Sequence, residues 1–184
     1  MPATTEAVHF GEVTVPLASF IQPMHRHYFS GRPERPNYRV RRYDFPGNPV
    51  VMPLVRAFLS TCAVTRSSDY RYLFTLLGSE LANNAVRHTR SGLPGGTFSL
   101  LVDRHRDGLH LVCRDEGPVD REVESEPVVH PRGLDLGAES GRGLAMVDAF
   151  ATEWGTEGFG RMRRVWCYLA FDFEDSEWQS VLAT

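Results

Sequence analysis

Residues 79–89 read SELANNAVRHT, and this stretch combines a helix-forming pattern with an unusual number of polar side chains. Residues four apart lie on the same face of an α-helix, so Glu80, Asn84 and His88 form one polar stripe. An adjacent stripe is apolar and can pack on a sheet: Leu73, Leu77, Leu81 and Ala85. The stretch therefore predicts a helix on a sheet, with polar groups bordering a cavity between the two layers.

The chemistry of this polar stripe suits a metal-bound phosphate. The amide oxygen of Asn84 is a neutral, hard ligand of the kind that Mg²⁺ accepts when it also bridges phosphates. A carboxylate one turn away, Glu80, could orient or deprotonate a nucleophile. The alternative is a helix whose polar stripe simply faces solvent.

A second polar cluster, DEGP, occupies residues 115–118 at the end of a predicted strand. The Asp115 carboxylate only accepts hydrogen bonds, so it could accept one from an exocyclic amine such as that of adenine. Gly117 would let a flat ring approach the backbone closely. Taken alone, the same four residues would also make an ordinary turn.

A third cluster, ESGRGLAMV, covers residues 139–147 and places Gly141, Arg142 and Gly143 at the start of a predicted helix. Amide groups at a helix N-terminus point outward, and the helix dipole favours an anion such as phosphate there. A flexible turn followed by a helix start is the alternative interpretation.

Around these clusters the pattern predicts two helices, two strands, a polar loop, a third helix and a final strand. Asn48 is expected to cap the first helix, with Pro49 at its first position. A turn at residues 106–108 is expected to join the first two strands. This order predicts an α/β two-layer sandwich in which helices cover one face of a mixed β-sheet. The predicted helices are at 48–65, 67–89 and 140–155, and the predicted loop is at 118–139. Two strands are predicted within 97–117, and the final strand is predicted at 159–174.

The first 42 residues differ in amino-acid composition from the rest and are expected to form an extension of uncertain order. Five arginines lie between Arg32 and Arg42, among Pro and aromatic residues. Such a run is usually a solvated linker, although it could also contact an acidic partner. The predicted division is therefore an extension at 1–42, a domain at 43–174 and a C-terminal tail at 175–184.

Composition excludes several classes of protein. The 184 residues are 42% hydrophobic, which suits one globular domain with an extension, and no apolar run is long enough to span a membrane. The three cysteines are far apart and are expected to be reduced, mostly buried thiols of a cytoplasmic protein with no signal peptide. A net charge of −3 argues against a general nucleic-acid binder. All 20 basic residues are Arg, which excludes lysine-dependent chemistry.

The three clusters, taken in chain order, resemble the N, G1 and G2 boxes of the GHKL ATPase superfamily, which has the Bergerat ATP-binding fold. The segments FPGNP, RAFL, SELANNAVRHT, VCRDEGP and SGRGLAMVDAFATEWG are more closely similar to the anti-sigma-factor serine kinases and related actinobacterial ATP-binding regulatory proteins. The resemblance covers roughly residues 43 to 172.

The resemblance implies a role for each cluster residue. Glu80 would be the catalytic carboxylate, Asn84 the Mg²⁺ ligand and Asp115 the residue that binds adenine. Residues 118–139 would form the lid over ATP, and Arg164 stands in RMRRVW where a Thr beside the adenine is expected. The remaining nucleotide-binding positions implied are His88, Gly117, Gly141, Arg142, Gly143 and Leu144.

The function that this resemblance implies is an ATP-binding, Mg²⁺-dependent serine/threonine protein kinase of the anti-sigma-factor type, which regulates transcription by binding a sigma factor or its antagonist. It implies no direct contact with nucleic acid or membrane, and a homodimer stays open. The alternative is a non-catalytic protein-binding module on a degenerate ATP-binding fold. Arg164 and the lid acids Glu122, Glu124 and Glu126 favour that alternative. A serine hydrolase is disfavoured because no G-x-S-x-G motif is present.

Overall fold

The computed structural model describes residues 16–30, 38–119, 142–158 and 162–172. Short 3₁₀ turns precede several of the main elements, at Leu17–Phe20, Pro23–Tyr28, Pro49–Val51 and Arg90–Gly92. The helices and strands are β1 (Val40–Pro46), α1 (Met52–Cys62), α2 (Ser68–His88), β2 (Thr97–Arg104), β3 (Gly108–Asp115), α3 (Arg142–Phe150), β4 (Glu153–Glu157) and β5 (Arg163–Ala170).

The five strands form one sheet in the order β1-β2-β3-β5-β4. Every neighbouring pair of the described strands is antiparallel, so the sheet is not mixed as the sequence had suggested. Two helices connect β1 to β2 and return the chain in the opposite direction, and a short turn connects β2 to β3. The predicted α/β two-layer sandwich is confirmed.

The core lies between the helices and one face of this sheet. Side chains of a strand alternate between its two faces, and the inward set here is mostly apolar and almost fully buried. Leu100, Leu111 and Cys167 occupy the centre of the inward set on β2, β3 and β5. The helices supply the facing layer: Val55, Phe58, Leu59, Leu73, Phe74, Leu77, Leu81, Ala85 and Val147.

Ser67 caps α2 directly, whereas Asn48 caps the 3₁₀ turn Pro49–Val51 that leads into α1 at Met52. The Asn48 side chain accepts a hydrogen bond from the backbone N–H of Val50 at 3.0 Å, and Pro49 follows at the first position of the turn that leads into α1. Ser67 accepts a hydrogen bond from the N–H of Tyr70 at 3.3 Å and caps α2. Both predicted helices are confirmed, and α1 ends at Cys62, three residues before the end of the predicted segment 48–65.

Strand β1 was not predicted, and it begins three residues before the predicted start of the domain. Tyr43 and Phe45 point into the core, and the ring of Phe29 contacts both, with centroids 4.8 and 6.3 Å away. Arg41 is also buried, with its guanidinium 4.2 Å from the ring centroid of Tyr38. Arg41 is therefore neither part of a solvated run nor available to a partner.

Strand β4 was predicted to be the end of the third helix. The helix stops at Phe150, and the Thr152 side chain then accepts a hydrogen bond from the N–H of Ala170 on β5 at 2.9 Å. The Trp154 indole donates back to Asp148 of α3 at 2.8 Å. Pairing with β5 therefore determines the conformation of this polar segment, and helix propensity does not.

The three cysteines are all buried and free, as predicted. Burial raises the pKa of the thiols of Cys62 and Cys167 to about 12, and it raises that of Cys113 as well. In the described part of the chain, no helix has both the length and the apolar character needed to cross a membrane.

Candidate functional site

The polar stripe of α2 lies at the edge of the core, as predicted. Leu81 and Ala85 are buried against the sheet, whereas Glu80 and Asn84 are half-buried and His88 is exposed. The stripe therefore runs from the interior towards solvent, and its first two members have the restricted access to water that a binding site needs.

Glu80 has an environment that increases its basicity. Burial raises the pKa of its carboxyl group, and the positive charges of Arg87 and Arg56 offset part of that effect. Among the described residues Glu80 has no close ion pair, and a carboxylate partly removed from water can accept a proton from a hydroxyl group.

The Asn84 side chain has an unused hydrogen-bonding group. Its Nδ2 atom is buried and has no hydrogen-bond partner among the described residues. Rotation of the amide exchanges its donor and acceptor ends, so the same position can present an oxygen. An unpaired polar atom at this depth costs free energy and fits a site that a ligand completes.

A magnesium ion fits Asn84 only if the nucleotide supplies further ligands. The described residues contain no group of three or more His, Cys, Asp or Glu side chains that could hold a metal by themselves. This is the usual situation for Mg²⁺, which is generally held by one or two protein oxygens together with phosphate oxygens and water.

The start of α3 lies directly against these two side chains. A Cβ atom built on Gly143 would be 2.6 Å from Oε2 of Glu80 and 3.5 Å from Nδ2 of Asn84. Only glycine leaves that space open, so the third sequence cluster meets the first where a phosphate could bind. Leu144, the next residue, packs on the core and holds α3 in this position.

Asp115 lies at the end of β3, where it is 6% exposed. Its Oδ1 accepts a hydrogen bond from the N–H of Gly117 at 2.8 Å, and Gly117 has a φ of +79° that favours glycine. Burial raises the pKa of the Asp115 carboxyl, while the Gly117 N–H and the charge of Arg163 act in the opposite direction. A buried acceptor next to a glycine, which has no side chain to block a ring, suits a flat base with an exocyclic amine.

Hydrogen bonds connect this strand end to the end of α2. The N–H of Arg90 donates to the carbonyl of Gly117 at 2.9 Å, and the N–H of Glu116 donates to the Ser91 hydroxyl at 3.0 Å. Thr89 is buried, pairs with Pro118 and donates to the Ala85 carbonyl at 2.6 Å. The first two clusters therefore form one connected unit. Sequence reasoning missed the role of Ser91, whose signal was a small hydroxyl residue just after the helix.

The arginine next to Asp115 is Arg163 and not Arg164. Asp115 pairs with Arg163 across β3 and β5, and Arg114 pairs with Arg164. Paired residues share a face and neighbours alternate, so Arg164 is exposed on the opposite face of the sheet. The prediction that Arg164 lies beside the adenine was wrong, because the strand register could not be read from the sequence.

Some predicted site residues cannot be placed. Gly141 and the lid acids Glu122, Glu124 and Glu126 lie outside the described residues, as does the side chain of Arg142. Of the predicted lid, the described part of the chain includes only Pro118 and Val119.

Comparison with known proteins agrees with the geometry of these clusters. The family model of the histidine kinase-like ATPase domain matches residues 45–161, which is more than half of the chain and includes all three clusters. The comparison with curated proteins gives no match.

Proposed function

Since the chain belongs to the histidine kinase-like ATPase family, an ATP-binding family, we propose that it is a serine/threonine protein kinase that uses ATP and Mg²⁺. It acts in the cytoplasm on a sigma factor or on a protein that antagonises one, as the resemblance to anti-sigma-factor kinases suggests. The contact of Gly143 with Glu80 and Asn84 carries the proposal, because it brings a phosphate-binding helix start to a carboxylate and a metal-binding amide.

Each of the main cluster residues has its own task in this reaction. Asp115 accepts a hydrogen bond from the adenine amine, and Gly117 lets the base approach the backbone. Asn84 would hold Mg²⁺, which when bound would neutralise charge on the phosphates. The first turn of α3 at Gly143 offers amide groups and its dipole to the phosphates. Glu80 accepts the proton of the attacking serine hydroxyl, a role to which its raised pKa is suited.

A second function, that of a non-catalytic protein-binding module, has one specific observation in its favour. Arg163 shares the face of Asp115, and its Nε atom is buried without a hydrogen-bond partner in the described part of the chain. A cation beside the adenine acceptor competes with the base for the carboxylate. Phosphoryl transfer depends on positioning, so such competition could end turnover and leave the partner surface whole.

Thermal unfolding with and without ATP and Mg²⁺ tests the nucleotide site first. Ligand at about 100 times its dissociation constant stabilises the fold by ~2.7 kcal/mol. For a chain of this size that raises Tm by roughly 5–10 °C. An unchanged Tm at millimolar ATP and Mg²⁺ would refute the proposal.

Phosphate transfer to a captured partner then separates the two functions. A candidate sigma factor or antagonist is incubated with the wild type or with Glu80→Ala and labelled ATP. Binding by both proteins, with phosphate on the partner only from the wild type, supports the kinase. Binding by both without any phosphate supports the binding module. Binding by neither contradicts both.

A further inference from the structure

The face of the sheet that points away from the helices, called here the outer face, has an ordered arrangement of charge. The apolar core residues of the strands lie on the other face, so none of the described helices packs here. Strand pairing places Arg114 and Arg164 side by side on the neighbouring inner strands β3 and β5. The complete row across the sheet is Asp44, Ser99, Arg114, Arg164 and Glu157.

The two central arginines of this row form no ion pair with the described residues. Arg42 forms an ion pair with Asp44 at 3.0 Å, but neither Arg114 nor Arg164 has such a pair in the described part of the chain. The Nε atom of Arg114 is buried and without a hydrogen-bond partner there. Burial and the charges of Arg164 and Arg42 lower the pKa of Arg114, and the charge of Asp44 offsets part of that effect. Like charges opposite each other in a sheet are destabilising, and a bound anion would relieve that repulsion.

The next row along the strands is mostly apolar. It places Leu101, Val112 and Trp166 side by side, with Gly155 at the β4 end. A Cβ atom on Gly155 would lie 2.9 to 3.0 Å from atoms of the Trp166 indole, so this ring rests on the backbone of β4. The outer face thus offers an aromatic and aliphatic surface directly beside the two arginines.

The size of the basic region limits what can bind. It is only two strands wide, about 5 Å between strands, and the acidic Asp44 and Glu157 flank it. A nucleic acid, whose charges continue at regular spacing, would meet those two carboxylates. A ligand with one or two carboxylates next to an apolar side chain matches both rows.

We propose that the outer face is a docking surface for a short acidic and apolar segment of a protein partner. Its carboxylates bind Arg114 and Arg164, and its apolar side chain packs on the half-buried Trp166. The surface is separate from the nucleotide site because Asp115 and Arg163 point to the other face. The proposal therefore does not depend on nucleotide binding or on kinase activity.

Fluorescence anisotropy with the labelled peptide Glu-Leu-Glu-Leu-Glu tests this docking surface, and the Gln-Leu-Gln-Leu-Gln peptide serves as the neutral probe. We expect the full chain to bind the acidic peptide and the double variant Arg114→Gln/Arg164→Gln to bind it at least tenfold more weakly. The matched control is Arg39→Gln/Arg106→Gln, which removes the same charge from two exposed positions away from the row. Trp166→Leu should weaken binding of the acidic peptide while keeping its preference over the neutral one.

Several results would overturn the docking surface. One is the absence of binding at millimolar peptide, and another is equal affinity for the acidic and the neutral peptide. A third is an equal loss of affinity for the acidic peptide in Arg114→Gln/Arg164→Gln and in Arg39→Gln/Arg106→Gln. Tighter binding of an oligonucleotide of the same charge would point to nucleic acid instead. A dimer that dissociates only in Arg114→Gln/Arg164→Gln would show that a second copy covers the face. If the double variant does not fold, Arg164→Gln alone serves, since this residue is exposed.

Discussion

Replacing Gly143 by alanine should disable the site with little change in stability. The new Cβ would lie 2.6 Å from Oε2 of Glu80, and an ordinary contact begins at 3.4 Å, so the carboxylate must retreat by about 0.8 Å. That oxygen is the far end of a flexible side chain, and alanine favours a helix over glycine by up to ~1 kcal/mol. We expect the free energy of unfolding to change by no more than about 1 kcal/mol and Tm by no more than roughly 4 °C.

The effect on catalysis should be much larger than the effect on folding. A misplacement of about 1 Å in a reacting group can cost ~10²-fold in rate. The measurement is phosphate release or transfer at saturating ATP and Mg²⁺, with Tm determined on the same samples. If Gly143→Ala acts only through Glu80, the combined variant Gly143→Ala/Glu80→Ala should be as slow as Glu80→Ala alone.

Two results would refute this reasoning. A Gly143→Ala protein with the rate of the wild type would mean that the start of α3 does not restrict Glu80. A loss of several kcal/mol in unfolding free energy would mean that the α3 backbone moves and the carboxylate does not. Additive effects in the combined variant would show that Gly143 acts on the reaction by another route.

Three further predictions concern the same site. Asn84→Ala should abolish the Mg²⁺-dependent part of the ATP-induced rise in Tm. The control Asn83→Ala should retain that rise, because Asn83 lies about 100° around the helix. The reverse pattern would show that the helix register is wrong. Arg163→Thr should tighten ATP binding by about tenfold in calorimetric titration, because the competing cation next to Asp115 is removed, while Arg164→Thr on the outer face should change nothing. Burial raises the pKa of Asp115 in the folded protein above its value of about 3.9 in the unfolded chain. The resulting gain in the free energy of unfolding is therefore complete below the unfolded-state pKa, and it is lost as the pH rises through the folded-state pKa. In melting curves from about pH 4 to 8 without nucleotide, Asp115→Asn should therefore lose less stability than the wild type as pH rises, and it should not respond to ATP; identical pH profiles would contradict this.

Local signals explain why the first two helices could be predicted and two of the strands could not. Asn48 caps the turn that leads into α1 and Ser67 caps α2, both through contacts within three residues, which the sequence displays directly. The alternation in β1 is hidden because one inward residue is Arg41, whose burial depends on Tyr28 and Tyr38. Strand β4 has no apolar alternation, and only its pairing with β5 makes it a strand.

The same distinction between local and long-range signals applies to the candidate site. Its members could be predicted from three short motifs, since each carries its own chemistry. The contact between Gly143 and Glu80 depends on how α3 packs on α2, which involves residues more than 60 positions apart. The exchange of Arg163 and Arg164 arose from a single step in strand register, which reverses the face of every side chain. Long-range packing and register are properties of the assembled sheet and have no local signature.

The three buried cysteines provide a built-in measure of local opening. Only a thiolate reacts quickly with an alkylating reagent, and these thiols are shielded from solvent with pKa values raised by burial. Alkylation must therefore wait until the surrounding structure opens, and its rate reports the free energy of that opening. Cys62 lies in α1, while Cys113 and Cys167 lie in the neighbouring strands β3 and β5. Mass spectrometry of the labelled chain would then compare the opening of the helical layer with that of the sheet, without any introduced probe.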